Sequence, residues 1–245
     1  MHGWRWLACA ALLLAAPAAP AAPGAPFEDT IAQRVLACTG CHGSQGRATA
    51  DGYYPRIAGK PSGYLFNQLR AFRDGRRHYE LMAGLLAPLD DAYLREIAGH
   101  FAALTLPYAA PTPASESAPV LRVGEALVRR GDPGRGLPAC AACHGAALTG
   151  RAPHIAGLLG LPRDYLDAQL GAWQVGKRRA DAPDCMAKVA ALLRADEIGA
   201  VSAWLAAQPV PTLATAPTDA AALPIACGGA GAVPAVLGAA STPAR

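Results

Sequence analysis

The sequence predicts an all-α chain built as two tandem copies of one small domain, and three observations carry that expectation. The string Cys38-Thr39-Gly40-Cys41-His42 returns 102 residues later as Cys140-Ala141-Ala142-Cys143-His144, and self-similarity at a fixed spacing marks a repeated structural unit. Flanking text returns with it. Pro55-Arg56-Ile57-Ala58-Gly59 becomes Pro153-His154-Ile155-Ala156-Gly157, while Tyr64-Leu65, Gln68-Leu69 and Phe72 become Tyr165-Leu166, Gln169-Leu170 and Trp173. Apolar residues late in each copy recur at helical period, whereas no segment around either cysteine pair alternates as a strand does.

The elements follow in chain order. Residues 1–26 read as a secretory signal and processing region: Arg5 is basic, Leu7 to Ala16 is apolar, and small-residue sites follow at Ala16-Pro17-Ala18 and Ala19-Pro20-Ala21. The apolar run is too short to span a bilayer. Cys9 is read as leaving with the signal rather than anchoring a lipoprotein. The first domain, 27–106, begins with a helix near Glu28–Ala37 that leads into the first cysteine motif. Its middle helix opens after Pro61, a residue tolerated in a first turn, and closes at Gly75, where a left-handed residue ends a helix. Its last helix presents Leu94, Ile97, Phe101 and Leu104 on one face, with Asp90 as N-cap. Residues 107–119, rich in Pro, Ala, Ser and Thr, read as a linker. The second domain, 120–208, repeats the order: a helix near Val123–Arg130, a middle helix between Pro162 and Gly176, and a last helix with Ile198, Val201 and Leu205. Residues 209–245 are Pro/Ala-rich and are expected to form a loose tail.

Each Cys-x-x-Cys-His string is a haem-attachment motif. The two thiols add across the vinyl groups of one porphyrin, and the adjacent histidine reaches its iron. Cys38 and Cys41 would therefore hold one haem, Cys140 and Cys143 a second, with His42 and His144 as iron ligands. A thioredoxin-type pair needs a βαβ setting, and a zinc site needs further ligands and leaves both histidines without a role.

The sixth ligand separates an electron carrier from a catalyst. Methionine sulfur favours ferrous iron and raises the potential. Met82 follows His42 by 40 residues and Met186 follows His144 by 42. Their matched places in the repeat favour axial ligation over a role as core gap-fillers. His78 has no counterpart in the second copy and reads as a surface residue, and His100 and His154 read as structural or exposed. Cys185, beside Met186, offers two alternatives: a thiolate ligand, which lowers the potential, or a disulfide with Cys227, which an exported protein permits. A bound histidine also needs an acceptor for its other ring N–H. The backbone carbonyls of Pro55 and Pro153 suit that role, the competing reading being that these prolines simply turn the chain.

The 22 Lys and Arg face 18 Asp and Glu; without Arg5 the balance is 21 to 18, or +3, and four haem propionates bring it to about neutral. Basic residues are dispersed, which excludes a nucleic-acid binder. These features together resemble the cytochrome c4 family, periplasmic dihaem class I cytochromes c, over about residues 28–208. The resemblance implies two helical cytochrome c-type domains related by a pseudo-twofold axis, with haem edges facing across the interface. It implies His42 and Met82 on one haem, His144 and Met186 on the other, and the carbonyls of Pro55 and Pro153 as partners of the histidines. Three stretches depart from the family pattern: a shorter loop from His144 to Pro153, a longer segment before Met186, and the tail.

The expected function is electron transfer in the periplasm, without catalysis, between a respiratory or dehydrogenase donor and a terminal oxidase or reductase. Redox partners meet such carriers through small interfaces, and peripheral membrane association is compatible with the same role. The alternatives are a dihaem enzyme, either a peroxidase or a thiosulfate-oxidising cytochrome with Cys185 as ligand, and the dedicated cytochrome subunit of a dehydrogenase.

Overall fold

Among the described residues half one contains five helices: α1 (Ile31–Arg34), α2 (Leu36–His42), α3 (Ser62–Arg73), α4 (Glu80–Leu86) and α5 (Asp91–Ala103). Half two contains α6 (Ala118–Arg130), α7 (Cys140–His144), α8 (Arg163–Gln174), α9 (Cys185–Leu192) and α10 (Ala195–Ala206), plus a two-residue antiparallel pair, β1 (Gly150–Arg151) and β2 (Ile155–Ala156). This computed structural model describes residues 29–49, 51–111, 113–211, 214–218 and 221–230; the expected signal region 1–26 and residues 231–245 lie outside them. Among the described residues no helix is long and apolar enough to cross a membrane.

Local chemistry sets most boundaries. Asp90 accepts from the Tyr93 amide at 2.8 Å and starts α5, and Asp184 accepts from Ala187 at 2.9 Å and starts α9. Helices α3 and α8 follow Pro61 and Pro162, and left-handed Gly75 and Gly176, both at φ 70°, turn the chain beyond them.

Three boundaries differ from expectation. The first helix breaks at Val35 into α1 and α2, with Thr30 capping the start of α1 at 3.3 Å. Helix α6 begins at Ala118, inside the stretch expected as linker, because Pro119 suits a first turn. Both methionines ride on short helices, α4 and α9, that no apolar period announced.

The last helices anchor two separate cores. In half one, Leu94, Ile97, Ala98 and Phe101 of α5 meet Val35, Leu65 and Leu86. In half two, Ile198, Val201, Trp204 and Leu205 of α10 meet Leu127 and Val128 of α6 and Leu166 of α8. Helix α10 is buried on nearly every side, whereas α5 buries one stripe. The difference lies in the front helix. Helix α6 is long enough to cross α10, and Gly124 lets the backbones touch: a Cβ there would stand 2.1 Å from Ala200 O.

The halves meet through a near-symmetrical arginine exchange. Arg77 donates to Gln68 of its own half at 3.0 Å and to Gln169 of the other at 2.6 Å. Arg178 donates to Gln169 at 2.7 Å and to Gln68 at 2.8 Å. Each guanidinium lies over its own half's aromatic ring, Arg77 over Phe72 at 4.4 Å and Arg178 over Trp173 at 3.9 Å. Backbone bonds from His78 to Lys177 O and from Arg179 to Arg76 O fix the register.

The expectation of a loose tail is corrected for its described part. The Ala152 amide donates to Pro217 O at 2.9 Å, and Arg151 binds Ala221 O. A disulfide joins Cys227 to Cys185, and Asn67 of α3 donates to Gly229 O at 2.9 Å. Composition gave no warning, because the tail's side of these contacts consists of backbone carbonyls and one thiol.

Candidate functional site

Cys38 and Cys41 sit one helical turn apart on α2, and Cys140 and Cys143 do the same on α7, so each pair shares a face with its histidine next in line. None of the four is taken up in a disulfide. Burial pushes the Cys140 thiol up to about 11 and raises Cys38 and Cys143 as well, so these three are protonated at neutral pH.

Both histidines are oriented by a backbone carbonyl. His42 Nδ1 donates to Pro55 O at 2.8 Å. His144 Nδ1 donates at 2.7 Å to Ala156 O, which corrects the expectation of Pro153. The reason is chain length. The acceptors lie 13 and 12 residues beyond their histidines, while the shorter second loop brings Pro153 round only nine residues after His144. Pro153 O instead accepts the Tyr64 amide of the other half at 3.0 Å. Burial lowers the proton affinity of both rings, the carbonyl bonds oppose that, and the Arg77 and Lys60 cations add to it at His42 and His144 respectively. Each ring is thus neutral at pH 7 with Nδ1 protonated, which leaves Nε2 its lone pair for a metal.

Both motifs open onto one continuous cavity of about 1100 Å³, beyond the roughly 300–1,000 Å³ of an ordinary small-molecule site. Its wall is mostly apolar and contains Met82 and Met186 as well as both histidines. His78 also borders it, on an exposed position. The polar exceptions point to an anion. Arg178 is buried with no carboxylate partner among the described residues, and burial and the Arg77 cation lower its proton affinity. Trp173 Nε1 is buried without an acceptor among the described residues. Lys60, also buried, donates to Gly157 O of the other half at 3.2 Å and is pushed down to about 8 by burial, so it remains charged at pH 7. An apolar cavity with thiol pairs, neutral histidines and unpaired cations at its wall fits two porphyrins with their propionates. Among the described residues no cluster of three His, Cys, Asp or Glu forms a metal-ion cage.

Cys185 is taken up in the disulfide with Cys227, 4.8 Å between Cα atoms, so the thiosulfate-oxidising reading that needed its thiolate on the iron loses that ligand.

Comparison with known proteins agrees with this geometry. No protein-family model matches the chain. It is 38% identical over 174 residues to a thiosulfate dehydrogenase electron acceptor of Thiomonas intermedia, covering 71% of this chain and 79% of that protein. It is 32% identical over 177 residues to cytochrome c4 of Pseudomonas aeruginosa, covering 70% and 84%. The chain belongs to the cytochrome c4 family.

As a member it is a dihaem electron-transfer cytochrome with two covalently attached c-type haems. Reduced cytochrome c4 of Pseudomonas stutzeri matches with a TM-score of 0.59 and 30% identity, over 71% of this chain and 94% of that one. The thiosulfate dehydrogenase TsdBA of Marichromatium purpuratum matches at 0.63 and 34% over 70% of this chain, which spans only 36% of that longer polypeptide.

Sequence reading missed the interface residues Arg77, Arg178, Gln68 and Gln169, although their signal was visible: each recurs in the repeat. Lys60 and Ala156 left no such signal, since neither is matched by a residue of the same type and role in the other copy.

Proposed function

We propose that this cytochrome carries electrons in the periplasm and takes them from a thiosulfate dehydrogenase, with His42 and Met82 as axial ligands in half one and His144 and Met186 in half two. The observation that carries the ligand reading is the twin constellation on one cavity: in each half a thiol pair, a neutral histidine with its outer nitrogen fixed, and a methionine on a short helix. A c-type haem bound there supplies a one-electron couple. The residues do the rest. Cys38, Cys41, Cys140 and Cys143 would tether it, Pro55 O and Ala156 O hold the rings in one tautomer, and Met82 and Met186 would offer the iron a soft donor that favours the reduced state. Leu65, Leu86, Phe101, Leu161 and Leu205 keep water from the cavity.

Support for the donor comes from the relative named as a thiosulfate dehydrogenase electron acceptor and from the match to one part of TsdBA. Export is supported by the apolar N-terminal run and by the disulfide, which belongs to oxidising compartments. A carrier delivers its electron onward to a terminal oxidase or reductase; no catalytic residue is assigned.

The test is stopped-flow mixing of oxidised holoprotein with thiosulfate, with and without a thiosulfate dehydrogenase. Reduction of both haems only when the dehydrogenase is present is the expected result. Reduction by thiosulfate alone would make the chain an enzyme, and no reduction with the dehydrogenase would remove it as donor.

A further inference from the structure

Lys60 is 5% exposed, and no carboxylate among the described residues pairs with it. An ammonium has three donors and no acceptor. One donor crosses the interface to Gly157 O at 3.2 Å. Gly157 follows Ala156, whose carbonyl receives His144 Nδ1 at 2.7 Å, so the ammonium and the ring converge on neighbouring peptide units. Both line the shared cavity, and the Lys60 charge is felt at His144.

The repeat offers half one no such cation from the opposite half; the charge felt at His42 is that of its own Arg77. Aligned on the Ile-Ala-Gly strings, the counterpart of Lys60 is Leu158; aligned on the prolines that open α3 and α8, it is Leu161. Both are apolar. The charge is therefore supplied in one direction only, from half one to the haem site of half two.

We propose that Lys60 sets the two haems apart by placing a cation of half one beside the second haem, where it favours the reduced iron. An electron arriving at that iron removes one unit of positive charge from the site. A fixed cation nearby favours that change, and the water-excluding wall leaves the interaction weakly screened. The proposal rests on the reading of His144 as the second iron's ligand.

The experiment is a redox titration of holoprotein at pH 7, with the two one-electron midpoints assigned to their haems by NMR, for wild type, Lys60→Met and Lys60→Arg. Lys60→Met is expected to shift the second haem's equilibrium about tenfold toward the oxidised form, about 59 mV for one electron. The first haem should stay within about twofold and Lys60→Arg within about threefold of wild type, at the resolution of such equilibria. Unmoved midpoints in Lys60→Met, with both haems present and low-spin, overturn this proposal alone, as does an equal shift of both haems. Loss of the second haem's low-spin spectrum in Lys60→Met reduces Lys60 to a structural prop and also overturns it. A wild-type second haem without histidine ligation sinks the ligand reading and this proposal together.

Discussion

The two halves solve one problem with different materials. Each must hold a histidine ring beside a porphyrin, yet half one uses a loop ending at Pro55 whereas half two uses a two-stranded hairpin ending at Ala156. Half one has a front helix of one turn, and half two has thirteen residues in α6 laid across α10. A disulfide and a strap of tail hold α9, the Met186 helix, while nothing comparable among the described residues holds α4. What stays constant is what the chemistry fixes, namely the thiol spacing, the tautomer and the methionine. What varies is scaffold, because a backbone carbonyl or an apolar contact can come from many residues. Half two is thus the more heavily braced.

That contrast can be broken at chosen points. The largest effect is expected at Glu197, 3% exposed, whose carboxylate takes two bonds from Arg135 at 2.7 and 3.1 Å and one from the Arg194 amide at 2.9 Å. Glu197→Gln should destabilise half two by about 3 kcal/mol in a denaturant titration of the holoprotein, since the buried amide turns an NH2 donor against Arg135 or the Arg194 amide where a carboxylate oxygen accepted, while Arg135 keeps Asp132 at 2.6 Å. The same carboxyl predicts a pH dependence. Burial pushes its proton affinity up, but the bonds from Arg135 and Arg194 outweigh that and hold it below its ordinary 4.5. Its contribution is therefore complete above pH 4.5 and disappears as pH falls through the lower folded value. Acid unfolding followed by second-haem signals should show this loss, and Glu197→Gln should abolish it.

Replacing Cys185 and Cys227 by serine opens a loop of 42 residues and should cost half two about 3 kcal/mol. Protease nicking near residues 221–230, absent from the unreduced wild type, is the corresponding readout. Gly124→Ala should cost about 2 kcal/mol by forcing α6 off Ala200. Gly99→Ala, in the last helix of half one, meets open space and should stabilise by about 0.7 kcal/mol. A thermal melt that ranks these two glycines the other way would remove the contrast between the helix pairs.

Much of this was legible beforehand, and the limits have physical causes. The Cys-x-x-Cys-His strings, the paired methionines and the middle and last helices carry side-chain identity or period, which sequence displays directly. Ala156 was hidden because its role belongs to a peptide carbonyl that any residue provides, and the thirteen-residue spacing of half one counted from His144 lands on Gly157 instead. Cys185 left two alternatives open because pairing depends on where Cys227 returns in space. Lys60 was invisible because its meaning lies across an interface 97 residues away in sequence.

The most direct test of the central claim, two histidine–methionine haems in one chain, is an EPR and optical titration of purified holoprotein with haem quantified per polypeptide. Two haems per chain, both low-spin with methionine on the sixth position, is the predicted result. One haem per chain, or a high-spin or thiolate signature at either site, would contradict it.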